Sequence, residues 1–322
     1  MSLNDSSLNV SRHEHFVAPV GDEALVVDQV AVSTKRSNLW LDAWRDMRRR
    51  PLFWFAAVVA VIIIAMAIVP QWFTSVSPLG GACMIDNSNG GPQAGHPLGF
   101  DFQGCDTWSR IAWGARTSVT VGLLATIIGT IIGLIMGAIA GFFGGWIDAV
   151  LSRVGDIFFT IPYIIAAIVV MTVVPKDDRT VLVLAFAIGG FSWASIARIV
   201  RAEVLRVKQA DYIMASKALG MGRFKTLLVH VLPNSIAPLI VVATLGLGSN
   251  IVAESVLSFL GVGLGGGAIS WGGDISQAQT VIRTAPMSLI WPSLALTLTV
   301  LAFIMLGEVL RDALDPKARA QR

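Results

Sequence analysis

Six stretches of the sequence run, without an ionisable carboxylate or amine, for at least the length a helix needs to cross a bilayer. That length is about 20 mostly apolar residues, within a working range of about 17 to 25. The stretches are Pro51–Ile85 (apolar core Leu52–Val69), Thr117–Ile147, Ile157–Pro175, Thr180–Ala197, Val231–Ala253 and Thr284–Gly307. Backbone inside hydrocarbon has to satisfy its own hydrogen bonds, which leaves helices and closed barrels as spanning forms. The ten-residue segments of alternating apolar and polar side chains that mark a barrel are absent. The expectation is an all-α polytopic membrane protein with six transmembrane helices.

Composition agrees, and narrows the functional classes. Charged residues are 14% of the 322 and hydrophobic residues 54%, against roughly 25% charged in an average soluble domain. A water-soluble globule of this size would need far more polar surface. The formal net charge is only +3, so no nucleic acid is expected as a partner. Two cysteines are too few for a disulfide framework or a four-thiolate zinc site.

Lys and Arg concentrate on the cytoplasmic side of membrane proteins. With the N-terminus inside, sixteen of them flank the inner ends: Arg45, Arg48, Arg49 and Arg50, then Arg153, seven from Arg198 to Lys225, and four from Arg311 to Arg322. Five lie outside: Arg110, Arg116, Lys176, Arg179 and Arg283. Both termini are therefore expected in the cytoplasm. Residues 1–36 are polar and aperiodic and read as a disordered tail; His13 and His15 within it read as solvated side chains, not metal ligands. Residues 37–50 read as an interfacial amphipathic helix, capped by Ser37, with Trp40, Trp44 and Met47 on one face and Arg45, Arg48 and Arg49 around the other. Residues 51–310 form the transmembrane domain, with an extracellular loop at 73–116 and a cytoplasmic loop at 198–230, and residues 311–322 a cytoplasmic tail.

Within the second span, Gly129, Gly133, Gly137 and Gly141 recur every four residues, with Gly145 one step further. That spacing gives a smooth strip for close helix packing, which would also permit sliding. Gly189, Gly190, Gly246 and Gly248 are candidate flexible points. Trp54, Trp72, Trp146 and Trp291 fall near span ends as interfacial anchors. Glu254 is the one ionisable candidate at depth; it either faces a polar pathway or is a structural acceptor bonded to a neighbouring serine or backbone N–H. The chain lacks the acidic and histidine relay of a proton-coupled transporter, a channel filter, a His-Glu-x-x-His motif and a Gly-x-Ser-x-Gly elbow beside a membrane histidine.

The most informative segment joins the fourth and fifth spans. Ile213, Lys217 and Gly220 fall at helical spacing, and the glycine interrupts the helix before a second piece in which Phe224, Leu227 and Leu228 interleave with Arg223 and Lys225. Such an element either docks in a groove on another protein or rests on its own bundle.

Ala215-Ser216, then Gly220, then Leu232-Pro233 resembles the EAA signature of permease subunits of ATP-binding-cassette importers. Asp211-Tyr212, Lys217-Ala218-Leu219-Gly220 and His230-Val231-Leu232-Pro233-Asn234 resemble the dipeptide, oligopeptide and nickel branch. So do His96 to Asp101, Ser109-Arg110, Gly114 to Ser118, Glu254-Ser255 to Gly263, Ser270-Trp271-Gly272 and Leu306 to Pro316. The resemblance spans about residues 37–317 and is to the C-type member of the two permease subunits. It implies a type I importer permease fold in a bacterial or archaeal plasma membrane. It also implies a second homologous permease subunit, two ATPase subunits or one fused ATPase, and an extracytoplasmic solute-binding protein. Coupling to the ATPase would fall on Asp211, Tyr212, Ala215, Ser216, Lys217, Ala218, Leu219, Gly220, Arg223, Phe224 and Lys225. The chain has no Gly-x-x-x-x-Gly-Lys-Ser/Thr cradle, so ATP and magnesium would be bound by the partners; no cofactor, no metal and no catalytic residue is expected here. Peptides are favoured over nickel as cargo, since the outer segments carry no His or Cys cluster suited to nickel.

Two departures from the pattern matter. Met214 stands where the signature commonly has Glu, so that residue's contact with an ATPase does not carry over. Gly104-Cys105-Asp106 replaces the usual Gly-Arg-Asp, which puts Cys105 in the same outer loop as Cys83, where disulfides persist. A bridge between them would close a loop of roughly 20 residues and contribute about 3 kcal/mol; the alternative is two free thiols.

Overall fold

The computed structural model describes residues 39–265 and 267–314. The expected N-terminal tail, the Ser37 cap and the last residues of the C-terminal tail lie outside the described residues. Regular structure among the described residues is helical, with two isolated bridges, Gln93 to His96 and Phe100 to Asp106.

The chain begins with α1 (Leu39–Met47) and α2 (Pro51–Ile68), separated by a turn that Pro51 ends by taking the first helical position, where its missing N–H costs nothing. Trp40 and Trp44 of α1 are exposed, but Met47, expected on their face, turns inward with Ala43 against Val241, Ala313 and Leu314. Arg50 fastens this corner, donating to Asp312 at 2.6 Å and to Asp46 at 3.2 Å.

The second crossing is α3 (Thr107–Phe143), whose N-terminus is capped by the Asp106 carboxylate on the Ser109 N–H at 2.8 Å. At 1.5 Å per residue its 37 residues reach about 55 Å, well past a hydrocarbon core of about 30 Å. It ends at Gly144 and Gly145, both at positive φ (68° and 57°). The turn therefore falls inside the expected Thr117–Ile147 window, and Gly145 opens the next helix instead of extending the glycine strip.

Next come α4 (Gly145–Thr160) and α5 (Tyr163–Val173), bent by 79° relative to each other. The Ile157–Pro175 window is thus not one straight helix. Pro162 lacks the N–H and its ring would strike the carbonyl four residues earlier, so Ile161 is extended and the helix restarts. Then α6 (Val181–Val207) runs ten residues beyond the expected end at Ala197 and absorbs the start of the 198–230 loop. Two short helices follow, α7 (Asp211–Ala218) and α8 (Arg223–Thr226), leading through a π turn at Leu227–Val231 into α9 (Leu232–Phe259). A short α10 (Trp271–Ala278) precedes α11 (Met287–Leu314). The last crossing therefore passes the expected domain limit at residue 310, and the first loop ends at 106, not 116, because α3 starts at Thr107.

Among the described residues, five helices are long and apolar enough to cross a membrane, and the α4–α5 pair makes a sixth if it is one broken crossing. The packing of α3 on α6 decides that question. A Cβ at Gly129 would lie 2.7 Å from Ser192 Oγ, at Gly133 2.8 Å from Ile196 Cβ, at Gly137 2.4 Å from Ala197 O, and at Gly141 2.9 Å from Arg201 O. Gly189 answers from α6, with its would-be Cβ 2.4 Å from Ala125 O. Both numberings rise together, so the two helices are parallel. Parallel neighbours need a connection that crosses back, and α4–α5 is that connection. Gly189, Gly190, Gly246 and Gly248 all lie within helix; a Cβ would collide at Gly189 and be tight at Gly248, and would meet nothing within 4 Å at Gly190 and Gly246.

The ends of the bundle differ. One carries α1, α7 and the C-terminal part of α11; here it is named the α7 end. The other carries α10 and the loop closed by a Cys83–Cys105 bond.

Gly137→Ile should lower the midpoint of thermal unfolding in detergent, since overpacking of this kind costs about 1–3 kcal/mol and the obstacle is a backbone carbonyl. Gly190→Ala, where nothing lies within 4 Å, should leave it unchanged or raise it slightly.

Candidate coupling and translocation site

The α7 segment has a buried side and an exposed side. Ile213, Ser216, Thr226 and Leu227 are buried, and Ile213 and Leu227 join Ala138, Phe142, Val200, Val204, Val231 and Leu239 in one apolar cluster. Lys217, which shares helical spacing with Ile213, is exposed instead, because the inward pair of so short a helix is Ile213 and Ser216, three apart. Tyr212, Met214 and Phe224 face outward, and Leu219 is 89% exposed. Asp211, Ala215, Ala218, Gly220, Arg223 and Lys225 are exposed as well.

Gly220 ends α7 for a reason the backbone states. Its φ is +84°, its N–H donates to Lys217 O at 3.0 Å and the next N–H, Met221, to Ser216 O at 3.2 Å. These are the paired bonds of a Schellman cap, which needs a left-handed residue at this position. The Ser216 hydroxyl also points to Met221 Sδ, 3.3 Å away. The cap makes the elbow between α7 and α8 a fixed shape.

The elbow is fastened to the end of α3. Lys217 Nζ lies 5.8 Å from the Phe142 ring and the Arg223 guanidinium 5.5 Å from the Phe143 ring, both within cation–π range. Lys208 donates to Gly141 O at 2.6 Å. Burial, with Lys217, Arg201 and Arg223 nearby, holds the Lys208 ammonium below the usual lysine range, while Asp148 opposes this. Beyond α8 the helical rod Arg223–Phe259 is continuous. Its π turn immediately precedes Leu232-Pro233: the proline ring would collide with the carbonyl of Val229 in an ordinary turn, and the wider turn makes room.

At the opposite end, segments far apart in sequence meet. Arg110 donates through Nε to Asp274 Oδ1 at 3.0 Å and through a terminal nitrogen to the same oxygen, and pairs with Asp101 at 3.2 Å. Burial pushes the Asp274 carboxyl up to about 6 against the pull of Arg110, with Asp101 adding to the rise. Asp101 in turn accepts the N–H groups of Gln103 and Cys105, each at 2.8 Å. Trp271 is buried, donating its indole N–H to Ile111 O at 3.0 Å. Gly114 and Gly272 let it in, since a Cβ at Gly272 would lie 2.2 Å from Ser255 O.

Glu254 does not face an open pathway. It is fully buried and accepts from Ser258 at 2.7 Å and Ser255 at 3.3 Å, with the hydroxyls of Ser118 and Ser270 also bonded to it. Of the two readings open from sequence, the geometry is that of a structural acceptor. Arg110, Asp274 and Trp271 are the residues that sequence reasoning did not single out for a role; apart from the Arg110–Asp101 pair, their partners lie 153 or more positions away.

A bundle of crossings with an exposed, capped elbow between two of them is the arrangement that the permease resemblance implies. The family described as binding-protein-dependent transport system inner membrane component matches residues 129–320, and the N-terminal TM domain of oligopeptide transport permease C matches residues 38–89. The glutathione transport system permease protein GsiD of Shigella flexneri serotype 5b is 38% identical over 282 residues, covering 87% of this chain and 91% of its own length. Proteins of the same name from Escherichia coli O6:K15:H31 and O157:H7 are 36% identical over the same span. The chain belongs to the binding-protein-dependent transport system inner membrane component family, as an ABC importer permease subunit of the dipeptide and oligopeptide type. Permeases of such systems work with ATPase and binding-protein partners.

Two measurements probe the disulfide end. Mass spectrometry without reductant should find Cys83 and Cys105 resistant to carbamidomethylation; alkylation of both before reduction would rule the bond out. Arg110→Met should destabilise the purified protein by roughly 3–5 kcal/mol, because it strands a buried carboxylate, and Arg110→Met with Asp274→Leu should recover much of that loss.

Proposed function

We propose that this chain forms half of the translocation pathway for short peptides delivered by an extracytoplasmic binding protein, and that the α7–α8 elbow receives the ATPase stroke. The observation that carries this reading is the two-sidedness of the elbow. One side is locked into the bundle through Ile213 and Leu227, and the other offers Tyr212, Met214, Leu219 and Phe224, apolar groups with no cover from this chain. A surface helix that merely rested on its own bundle would not need outward apolar side chains of this size. The excess of Lys and Arg at the α7 end supports placing that end, and both termini, in the cytoplasm.

The cargo reading rests on the branch and on relatives named for glutathione, a tripeptide. Two ATPase subunits or one fused ATPase would hold ATP and magnesium, a second homologous permease would complete the pathway, and this chain would carry no catalytic group. Closure of the ATPase dimer would push on the elbow and tilt the rod Arg223–Phe259. Coupling of this kind requires contacts that differ between two states.

Gly220→Pro and Ala215→Arg test the assignment. Proline cannot take the φ of +84° found at Gly220, so the elbow's shape should be lost, while Gly220 and Ala215 are both exposed, so both bundles should assemble. Binding-protein-stimulated ATP hydrolysis and peptide uptake in proteoliposomes should both be lost. Normal uptake by both variants would refute the coupling role, and copurification without an ATPase or a second permease would favour a scaffold or a secondary transporter instead.

A further inference from the structure

A cavity of about 400 Å³ lies beside the break between α4 and α5. Phe159 and Tyr163 wall it from the two sides of the break, and Ser192 and Ser195 from the middle of α6. Gly246, Ser249 and Asn250 close it from the middle of α9. Mid-helix positions on two crossings put the break at membrane depth. Non-helical backbone survives there only where protein buries it or water reaches it.

The side chains favour water. Ser195 and Ser249 are exposed, on two helices that both line the cavity, whereas exposed positions of α6 away from it, such as Phe186, are large and apolar. Asn250, itself largely buried, donates to Thr126 Oγ1 at 2.9 Å, and both residues line the cavity. No Asp, Glu, Lys or Arg is among the described residues that line the cavity. A Cβ at Gly246 would meet nothing within 4 Å, so glycine there adds room and is not demanded by packing.

We infer that this cavity is the hydrated mid-membrane stretch of the peptide path, with Ser195, Ser249 and Asn250 as the groups that meet the passing backbone. The inference rests on the importer reading above. Hydroxyls and a carboxamide can exchange hydrogen bonds with any peptide unit, and Phe159 and Tyr163 can slide against apolar side chains. Without a fixed charge the wall holds neither peptide terminus tightly. Passage requires binding weak enough to release, and such a wall would not sort peptides by charge.

The chain's two cysteines are bonded to each other, so Ser195→Cys or Ser249→Cys adds the one free thiol of this subunit. The complete transport complex in proteoliposomes is treated with the charged reagent 2-sulfonatoethyl methanethiosulfonate, and labelling of this chain is followed by mass spectrometry. Thiols react as thiolates, which form in water, so both positions should label roughly tenfold faster than Phe186→Cys. A mixture of di- to pentapeptides, added with binding protein and ATP, should slow both positions and leave Phe186→Cys unchanged. Labelling as slow as at Phe186→Cys would overturn the proposal and show a dry groove filled by lipid or by the second permease. Fast labelling indifferent to peptides would also overturn it, leaving a water-filled void off the path. Failure of the importer reading itself would show separately, as absence of ATP-driven peptide uptake by the unsubstituted complex.

Discussion

The contact between α3 and α6 is the constraint from which most of this architecture follows. In lipid no hydrophobic force draws helices together, and association depends on van der Waals packing and close backbone approach. Gly129, Gly133, Gly137, Gly141 and Gly189 remove the side chains that would hold the two backbones apart. Because the pair is parallel, the intervening chain has to recross the membrane, and it does so in a piece broken at Pro162. The break in turn opens the space between α6 and α9. One row of absent Cβ atoms thus sets the topology, the irregular crossing and the cavity beside it.

The same pair organises the α7 end. Because α3 overshoots the hydrocarbon, Gly141, Phe142 and Phe143 stand where Lys208, Lys217 and Arg223 can reach them. The elbow therefore rests on the rigid two-helix unit, while its far side continues into the rod that includes α9. In the proposed mechanism this is the geometry a lever needs: a short capped element with one arm on a fixed support and the other built into a movable crossing. Whether such a lever transmits anything depends on differential contacts in two states, and the exposed apolar groups on α7 are the surface on which those contacts would form.

Much of this is legible in the sequence. The apolar windows located the crossings, the four-residue glycine spacing marked the strip, and the EAA-like residues marked the elbow. What the spacing could not say was which helix the strip meets or in which direction, since Ser192, Ile196 and Ala197 carry no local sign of being partners. Counting from charge to charge hid the break at Pro162, although proline in an apolar window is itself a break signal. Helix ends were misplaced wherever a helix continued through charged residues, as at Arg198 to Val207, because the count measured the lipid and not the helix. Glu254 stayed ambiguous because two of its four serine partners, Ser118 and Ser270, come from other segments. Arg110 and Asp274 are 164 positions apart, and no periodicity links them.

The disulfide end and the elbow are held differently. At the disulfide end a covalent bond fixes Cys105, whose N–H is bonded to Asp101, whose carboxylate shares Arg110 with Asp274. Asp106, next to Cys105, caps α3 through one carboxylate oxygen and pairs with His96 at 3.0 Å through the other. That arrangement resists displacement, since parting buried charges or a disulfide is costly. At the α7 end the elbow is held by apolar packing, by two cation–π contacts, each worth about 0.5–1 kcal/mol when exposed, and by the Lys208 hydrogen bond to Gly141 O just before it. The weaker fastening lies at the elbow, which is the end where the proposed partner would push.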